Sequence, residues 1–303
     1  MTGPSTCLGV FGVSVILFLS SSAVHAQAAI SDDTALIESV DANSNSNTAR
    51  GQAHLSAGNF AEAEAEFTRA LAQKPSKEEK HTLYWARGSV RMQLQNNAGA
   101  IDDFSSALKI AEAAQIYHGR ARAHFALEQF DQANSDLASA LGLGLPAGAE
   151  RAKAYELRGY IFLRQGEYAA AIDAFTSAIE INPAPSLYFH RANLLRATGN
   201  TNAAYADYRQ VVGNEKSPAS MATQSFLELA FIYHSRQDVL NAMAAYDAFF
   251  AALANADDQT RELGAQVVQS LVKTGLYSGA AKSYDSEFRN ALAACVKSST
   301  CNP

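Results

Sequence analysis

Histidine is the side chain in this sequence with the clearest capacity for acid-base or metal chemistry. Seven histidines occur, and His118 and His124 lie close together, six residues apart. That separation puts the two imidazoles on different faces of a helix, so they are not expected to share a metal ion. The sequence contains no HExxH, GxSxG, GxxxxGK[ST] or GxGxxG motif, the patterns of zinc sites, serine nucleophiles and phosphate-binding loops. These observations predict a protein that is not an enzyme and holds no metal or cofactor.

The beginning of the chain has the features of an export signal. Residues 1–26 contain no Asp, Glu, Lys or Arg, and an apolar run from Leu8 to Leu19 precedes Val24 and Ala26. The run is short for a membrane span but typical of a signal-peptide core, and Val24 and Ala26 fit the small-residue rule for cleavage after Ala26. We therefore expect an exported protein, periplasmic or secreted, with residues 27–43 as a flexible segment. An uncleaved membrane anchor is the alternative, because no basic residue lies near Met1, where signal peptides usually carry one.

Export would leave two cysteines, Cys295 and Cys301, in the mature chain. In an oxidising compartment, two thiols this close are expected to form a disulfide that ties the tail, residues 295–303, to the last helix. Two free thiols or a metal site are the alternatives. The spacing is not CxxC, so it does not indicate redox work.

The charge and composition exclude several classes of protein. The 24 Lys and Arg residues are outnumbered by 30 Asp and Glu, which gives a net charge of −6, whereas a nucleic-acid binder needs a positive surface. The chain is 48% hydrophobic, which is too apolar for a disordered protein. About one residue in five is alanine, which is typical of closely packed helices because alanine lets neighbouring backbones approach.

An internal repeat accounts for much of this alanine. A small residue recurs at Gly51, Gly88, Ala121, Gly159, Ala192 and Ala230. An alanine column follows at Ala63, Ala100, Ala133, Ala171, Ala204, Ala242 and Ala280, with a large apolar residue four positions later in the well-preserved copies. In a helical hairpin, the small residues would lie where the two helices touch, and the large residue would fill the gap beside them. Gly58, Gly166 and Gly199 suit left-handed helix ends, and Pro75 and Pro183 would stop the second helices.

These columns resemble the tetratricopeptide repeat family over roughly residues 44–287. The resemblance implies an all-α fold, a right-handed superhelical solenoid of antiparallel helix pairs with six to seven repeats. Six hairpins are expected within residues 44–252, and a degenerate seventh repeat or capping helices at residues 253–294. The Asn and Ser residues at 43–47 favour a cap over a helix interior, so the first helix is expected to start near Asn47.

In this family, the first helix of each hairpin lines a concave groove in which partners bind. The groove columns, carried onto this sequence, predict partner-binding residues at Trp85, Met92, Gln93, His118, Arg122, Phe125, Tyr160, Arg164, Phe189, Asn193, Arg196, Phe231 and His234. Aromatic residues interleaved with arginines are typical of protein interfaces. The resemblance therefore implies a protein or peptide partner, and we expect a segment with acidic or C-terminal carboxylate character.

Structural roles compete with this assignment. Trp85, Phe189 and Phe231 fit packing between hairpins equally well. A second aromatic column is expected in the core, at Tyr84, Tyr117, Tyr155, Tyr188 and Phe226. Arginines precede the small column at Arg50, Arg87, Arg120, Arg158 and Arg191, and Asp103, Asp136 and Asp207 follow three of them by sixteen residues. We expect these to be surface ion pairs within hairpins, each contributing about 0–1 kcal/mol.

The sequence therefore favours a non-catalytic interaction scaffold or adaptor of the cell envelope that binds a peptide or partner segment in the groove. A small-molecule or glycan receptor that uses the aromatic groove is the alternative function. A third possible function is an enzyme of unrecognised type, whose site would have to lie in the region after Ala280. No nucleic-acid partner is expected, and the membrane is a partner only if the leader stays uncleaved.

Overall fold

The computed structural model describes residues 46–273, 275–277, 284–298 and 301. These residues form fourteen α-helices and a short 3-10 helix, and none of them lies in a β-strand. In chain order the α-helices are α1 (Asn47–Ser56), α2 (Phe60–Ala72), α3 (Lys77–Gln93), α4 (Asn97–Leu108), α5 (Ala114–Ala126), α6 (Phe130–Gly142), α7 (Ala149–Gln165), α8 (Tyr168–Ile181), α9 (Pro185–Ala197), α10 (Thr201–Val212), α11 (Ala219–Ser235), α12 (Val239–Ala252), α13 (Asp258–Lys273) and α14 (Ser286–Lys297). The 3-10 helix, Leu253–Asn255, follows α12. The predicted signal peptide, the segment at 27–43 and Ala280 lie outside the described residues.

The helices fall into two compact units that divide between Ala174 and Phe175, within α8. In unit 1, α1 packs against α2, α3 against α4 and α5 against α6, and each hairpin contacts the following helix of the stack. In unit 2, α9 packs against α10 and α11 against α12, and the two hairpins meet through α10 and α11. The prediction of an all-α fold built from consecutive helix pairs is confirmed in each unit.

The last two helices of unit 2 pack on its final hairpin. α13 contacts α11, and α14 contacts both α12 and α13. The Phe250 ring of α12 stacks on Tyr284 with 4.4 Å between centroids, and Phe288 of α14 meets Phe250 at 5.2 Å. The segment expected as a seventh repeat or a cap thus contributes two helices that cover hairpin α11–α12.

Local sequence explains where the helices begin and end. The Ser46 Oγ accepts a hydrogen bond from the Ala49 N–H at 3.2 Å, so the first helix begins at Asn47 as predicted. Gly58, Gly166 and Gly199 adopt left-handed conformations after first helices, with φ of 76°, 79° and 85°, which confirms their predicted role. In the corresponding turns after α3, α5 and α11, the same conformation falls on Gln95, Glu128 and Gln237, with φ of 59°, 56° and 57°.

The alanine column provides the contact surface within the hairpins. Its members Ala63, Ala100, Ala133, Ala171, Ala204 and Ala242 are fully buried. A Cβ atom added at Gly51 would lie 2.6 Å from the ring of Phe67, and one added at Gly88 would lie 2.8 Å from the ring of Phe104. The first two hairpins therefore need glycine at the small column, because the facing ring occupies the space of a methyl group.

Candidate functional site

The arginine beside the small column pairs with a carboxylate in four of the hairpins. The pairs are Arg50–Glu66, Arg87–Asp103, Arg120–Asp136 and Arg191–Asp207, with closest N–O distances of 3.1, 2.7, 2.7 and 2.7 Å. The three predicted aspartate pairs are confirmed, and Glu66 is a fourth acid that the sequence analysis did not name. In the hairpin that contains α7, the residue at the acidic position is Ala174, and Arg158 donates to Asn134 at 3.2 Å.

These pairs are not the weak surface pairs that we expected. The side chains of Asp103, Asp136 and Asp207 are only 3%, 7% and 6% exposed. A buried carboxylate that loses its partner becomes an uncompensated charge, which is far more costly than a broken surface pair. The arginine column therefore has a structural role within the hairpins.

The second aromatic column lies beneath these arginines. The guanidinium carbon of Arg120 is 5.5 Å from the ring centre of Tyr117, and Arg87 and Arg191 cover Tyr84 and Tyr188 in the same way at 5.9 and 5.8 Å. The three rings are half-buried, and the Tyr117 hydroxyl donates to Glu112 at 3.0 Å. Tyr84 and Tyr117 pack against the hydrophobic clusters that include Phe104 and Leu137, as expected of core residues, and one face of each of the three rings is covered by a guanidinium group.

The predicted site residues of unit 1 lie on three first helices that contact one another, α3 with α5 and α5 with α7. We call this surface the first-helix face of unit 1; it comprises Trp85, Met92, Gln93, His118, Arg122, Phe125, Tyr160 and Arg164. Trp85 and Met92 pack against a cluster that includes Phe104 and Ile116. Phe125 packs against a cluster that includes Leu137. The apolar members are half-buried and so contribute to packing as well as to the exposed face.

His118 is an uncharged imidazole at this face. It is only 7% exposed, and burial, followed by the charges of Arg122 and Lys153, lowers its pKa to about 3. Its Nδ1 lies 3.8 Å from the Glu150 carboxylate, which also holds the Lys153 Nζ at 3.3 Å. At neutral pH the imidazole carries no charge, and its burial leaves little surface for a partner.

The two arginines of this face differ in their partners. Arg164 forms an ion pair with Glu128 of the turn after α5, and its guanidinium carbon lies 5.5 Å from the centre of the Phe130 ring. Arg122 is half-buried on α5, and none of the carboxylates in the described part of the chain comes within ion-pair distance of it. Its charge remains strong enough at His118 to lower the pKa of that imidazole. Arg122 is therefore a half-buried guanidinium group without an acidic partner among the described residues.

Tyr160 completes the polar part of this face. Its hydroxyl donates to the Glu156 carboxylate at 3.3 Å. Burial raises the pKa of both Glu156 and Tyr160. The phenol therefore stays protonated at neutral pH and places an aromatic ring with a bound hydroxyl on the same side of the unit as Arg122.

In unit 2, two predicted residues belong to a buried polar cluster on α9, α10 and α11. The Arg196 Nε lies 2.9 Å from the Glu228 carboxylate, and the Tyr208 hydroxyl donates to Asn193 at 2.7 Å. Burial raises the pKa of Glu228, and the charge of Arg196 acts against that shift. The charge of Arg196 is thus balanced inside the protein by the following hairpin.

The other predicted residues of unit 2 vary in accessibility. Phe189 is 7% exposed, which leaves it little surface for a partner. Phe231 is half-buried, with its ring centre 6.1 Å from that of Tyr246. His234 is also half-buried, and burial lowers its pKa.

Sequence analysis missed the acids that neutralise Arg164 and Arg196. Glu128 lies thirty-six residues before Arg164, and Glu228 belongs to the hairpin after that of Arg196. Both pairs join neighbouring first helices or their turns, so the separation is close to one repeat. Opposite charges one repeat apart are the signal that would have identified them.

The described residues also show neither a membrane-spanning helix nor a metal-ligand cluster. No helix in the described ranges combines the length and the apolar character needed to cross a bilayer. Within those ranges, no three His, Cys, Asp or Glu side chains are grouped as metal ligands would be. Cys295 of α14 is bonded to Cys301, with 5.1 Å between their Cα atoms.

Consecutive helical hairpins with a small-residue column and an alanine column define a repeat protein of the helix-pair class. Sequence profiles described as tetratricopeptide repeat match residues 48–115, 118–184 and 185–217. Together these segments cover more than half of the chain, so the chain belongs to the tetratricopeptide repeat family. Members of this family are generally non-catalytic scaffolds for protein or peptide partners, and the repeats support a protein-interaction scaffold for this chain. No curated protein sequence matches it.

Solved structures support the fold. PilF of Pseudomonas aeruginosa is similar with a TM-score of 0.56 and 21% identity, over 71% of this chain and 94% of that one. YrrB, described as a tetratricopeptide repeat protein with an unusual peptide-binding site, is similar with a TM-score of 0.53 and 16% identity, over 66% of this chain and 97% of that one. Identities this low establish a shared fold and no more.

Proposed function

We propose that the protein is an exported, non-catalytic scaffold or adaptor of the cell envelope whose first-helix face in unit 1 binds a carboxylate-bearing peptide segment. The charge-free leader with its apolar core supports export. The Cys295–Cys301 disulfide supports an oxidising destination, because such bonds persist outside the reducing cytosol. The similarity to YrrB, which has an unusual peptide-binding site and a similar fold, supports a peptide as the partner.

The state of Arg122 carries the proposal. Arg164 and Arg196 are neutralised by Glu128 and Glu228, whereas none of the described carboxylates pairs with the guanidinium group of Arg122, on a face that also includes Tyr160. A half-buried cation of this kind gains more from an incoming carboxylate than an exposed one, because water screens the interaction less. The half-buried aromatic residues of the first-helix face provide apolar contact area for the neighbouring side chains of a peptide.

The experiment is a binding screen in which the probe is an array of short peptides, each made with a free C-terminal carboxylate and again as the amide. Purified wild-type protein should select peptides whose binding depends on the free carboxylate. Arg122→Ala should weaken that binding at least tenfold, since a charge-assisted hydrogen bond contributes about 1.5–3 kcal/mol. Circular dichroism verifies that the variant remains helical.

Arg69→Ala is the matched control, because Arg69 is an exposed arginine of unit 1 that pairs with Glu66. It should bind as the wild type does. Equal binding by Arg122→Ala, or equal binding of the free and amidated peptides, would overturn the proposed site. A response to small molecules or glycans without any peptide would favour a receptor instead.

Export is tested separately by expressing the full chain in a Gram-negative host and fractionating the cells. We expect the protein in the periplasm or medium, with its N-terminus at Gln27. An intact leader in the membrane fraction would show that the segment is an anchor, and an intact leader in the cytosol would contradict export.

A further inference from the structure

A pair of tyrosines on unit 2 lies outside the first-helix positions that the family resemblance named. Tyr205 of α10 and Tyr233 of α11 meet edge to face with 5.6 Å between ring centres. Their hydroxyl oxygens are 3.1 Å apart, so only one of the two protons is used between them. Both rings are half-buried. The pair therefore presents one free phenolic proton, together with aromatic surface, where two hairpins meet.

Two arginines flank these rings. The guanidinium carbon of Arg236 lies 4.6 Å from the centre of the Tyr205 ring, and that of Arg209 lies 5.9 Å from it. Arg236 also donates to the side-chain oxygen of Asn202 at 2.7 Å. Both arginines are exposed, and neither has a carboxylate within ion-pair distance among the residues that the structure describes. We call Tyr205, Arg209, Tyr233 and Arg236 the tyrosine–arginine cluster.

At the junction between α2 and α3 in unit 1, an internal ion pair closes the equivalent place. Glu64, which follows Ala63 of the alanine column, accepts from Arg91 at 2.7 Å. Tyr205 follows Ala204 in the same way, and Tyr233 occupies the repeat position of Arg91. The junction between α10 and α11 thus has aromatic residues where the α2–α3 junction has a matched charge pair, and none of the carboxylates in the described ranges pairs with the nearby guanidinium groups.

The electrostatics of the cluster agree with an unmet positive charge. The hydrogen bond from Tyr233, with the nearby guanidinium groups of Arg209 and Arg236, lowers the pKa of Tyr205. A negative group is therefore favoured at this position. Asp238 is the neighbouring acid, but its carboxylate caps α12 by accepting from the Asn241 N–H at 3.2 Å and side chain at 2.7 Å.

We infer that the tyrosine–arginine cluster is an interaction surface for an acidic peptide segment of a protein partner. Two guanidinium groups offer several N–H donors to Asp or Glu carboxylates. The tyrosines add a hydroxyl donor and rigid apolar surface, the composition that dominates protein-interface energetics. Two cations on a chain of net charge −6 do not form the extended basic surface that a nucleic acid requires. This surface is distinct from the Arg122 site and does not depend on it.

The test uses fluorescence anisotropy at low salt with a labelled peptide of alternating Glu and Gly, and its counterpart of alternating Gln and Gly. The purified protein should bind the Glu peptide at least tenfold more tightly than the Gln peptide. Added salt should weaken binding, because the two charges are exposed. Binding should also raise the pKa of Tyr205, which can be measured by an NMR titration of the phenol ring.

Substitutions in the tyrosine–arginine cluster test whether these residues bind the Glu peptide. Arg209→Ala with Arg236→Ala should reduce affinity for the Glu peptide at least tenfold, and Tyr233→Phe should reduce it several-fold while keeping the ring. The matched control is Arg69→Ala with Arg261→Ala, which removes two exposed arginines that have their own acids, Glu66 and Asp258, and should bind normally.

Three outcomes would overturn the inference. These are no binding of the Glu peptide by the wild type, equal binding of the Gln peptide, and an equal loss in the control double variant. The last would mean that overall charge governs binding.

Discussion

Arg191 of α9 holds the buried carboxylate of Asp207 in α10 by two parallel hydrogen bonds, 2.7 Å from Nε and 2.8 Å from Nη2. A third donor, Nη1, reaches the Thr176 hydroxyl at 2.9 Å. The same two-point geometry joins Arg87 to Asp103 and Arg120 to Asp136. One arginine therefore ties the two helices of a hairpin together and also covers the tyrosine of the aromatic column.

Arg191→Ala should lower the free energy of unfolding by about 3–5 kcal/mol, because it leaves the Asp207 charge buried without a partner. Urea unfolding followed by circular dichroism measures the change. The double variant Arg191→Ala with Asp207→Ala should recover part of that loss, since it removes the stranded charge as well. A single variant as stable as the wild type would contradict the assignment.

Arg87→Ala should be less harmful than Arg191→Ala. The Asp103 carboxylate also accepts from Arg91 Nη1 at 2.9 Å, so one cation remains after Arg87 is removed. The comparison needs the same urea experiment on both variants. Equal losses would mean that Arg91 does not share the charge.

Gln95→Gly should stabilise the protein by about 0.5–1 kcal/mol. Gln95 has a φ of 59° after α3, a left-handed conformation that costs a residue with a side chain about 1–2 kcal/mol, part of which is offset by the greater chain entropy of glycine. Gly199→Ala, at a φ of 85°, should destabilise by about 1 kcal/mol for the opposite reason. Thermal unfolding of the two variants should therefore shift in opposite directions.

His118 should make the fold acid-sensitive. Its folded-state pKa is lowered to about 3, so the unfolded chain, with a pKa near 6.5, takes up the proton more readily. The neutral imidazole stabilises the fold fully above about pH 6.5, and this stabilisation is lost as the pH falls toward 3. At pH 5 the free energy of unfolding should be lower by about 2 kcal/mol than at neutral pH. His118→Gln should lose less stability between pH 7 and 5 than the wild type, measured by urea unfolding at each pH. NMR titration of the His118 ring should show no protonation at pH 5.

Reduction of the Cys295–Cys301 disulfide should loosen the end of α14. Cys295 is fully buried, and closing so short a loop contributes at most about 2–3 kcal/mol. Hydrogen exchange should therefore accelerate in Ser286–Lys297 after reduction and stay unchanged in α5 and α6. Unchanged exchange in α14 would mean that its packing on α12 and α13 is sufficient.

Much of the fold could be predicted from the sequence, because the contacts within each hairpin are made by residues that lie close together in the chain. The small residue, the alanine and the large apolar residue recur at helical spacings, so the helices, their starts at residues such as Asn47 and their ends at residues such as Gly166 follow locally. The aspartates sixteen residues after their arginines were also predictable. The burial of Asp103 and Asp207 was not predictable, because it depends on how helices from neighbouring hairpins cover each arginine–aspartate pair.

The candidate site was predictable as a set of columns and not as a pattern of charge. The repeat predicted Arg122, Arg164 and Arg196 for the same groove, yet Glu128 and Glu228 neutralise the last two. Those two acids belong to a neighbouring hairpin, and sequence periodicity does not specify which side chains meet where two hairpins pack together. The tyrosine–arginine cluster was missed for the same reason.

The amino-acid sequence is enough to define the kind of protein, a series of helical hairpins, because helix formation and close packing between adjacent helices depend on residues that are near one another in the chain. The tertiary structure alone decided which charges remain available. Ion pairing depends on distances between side chains of different hairpins and on how far each is shielded from water, and both arise only when the helices pack.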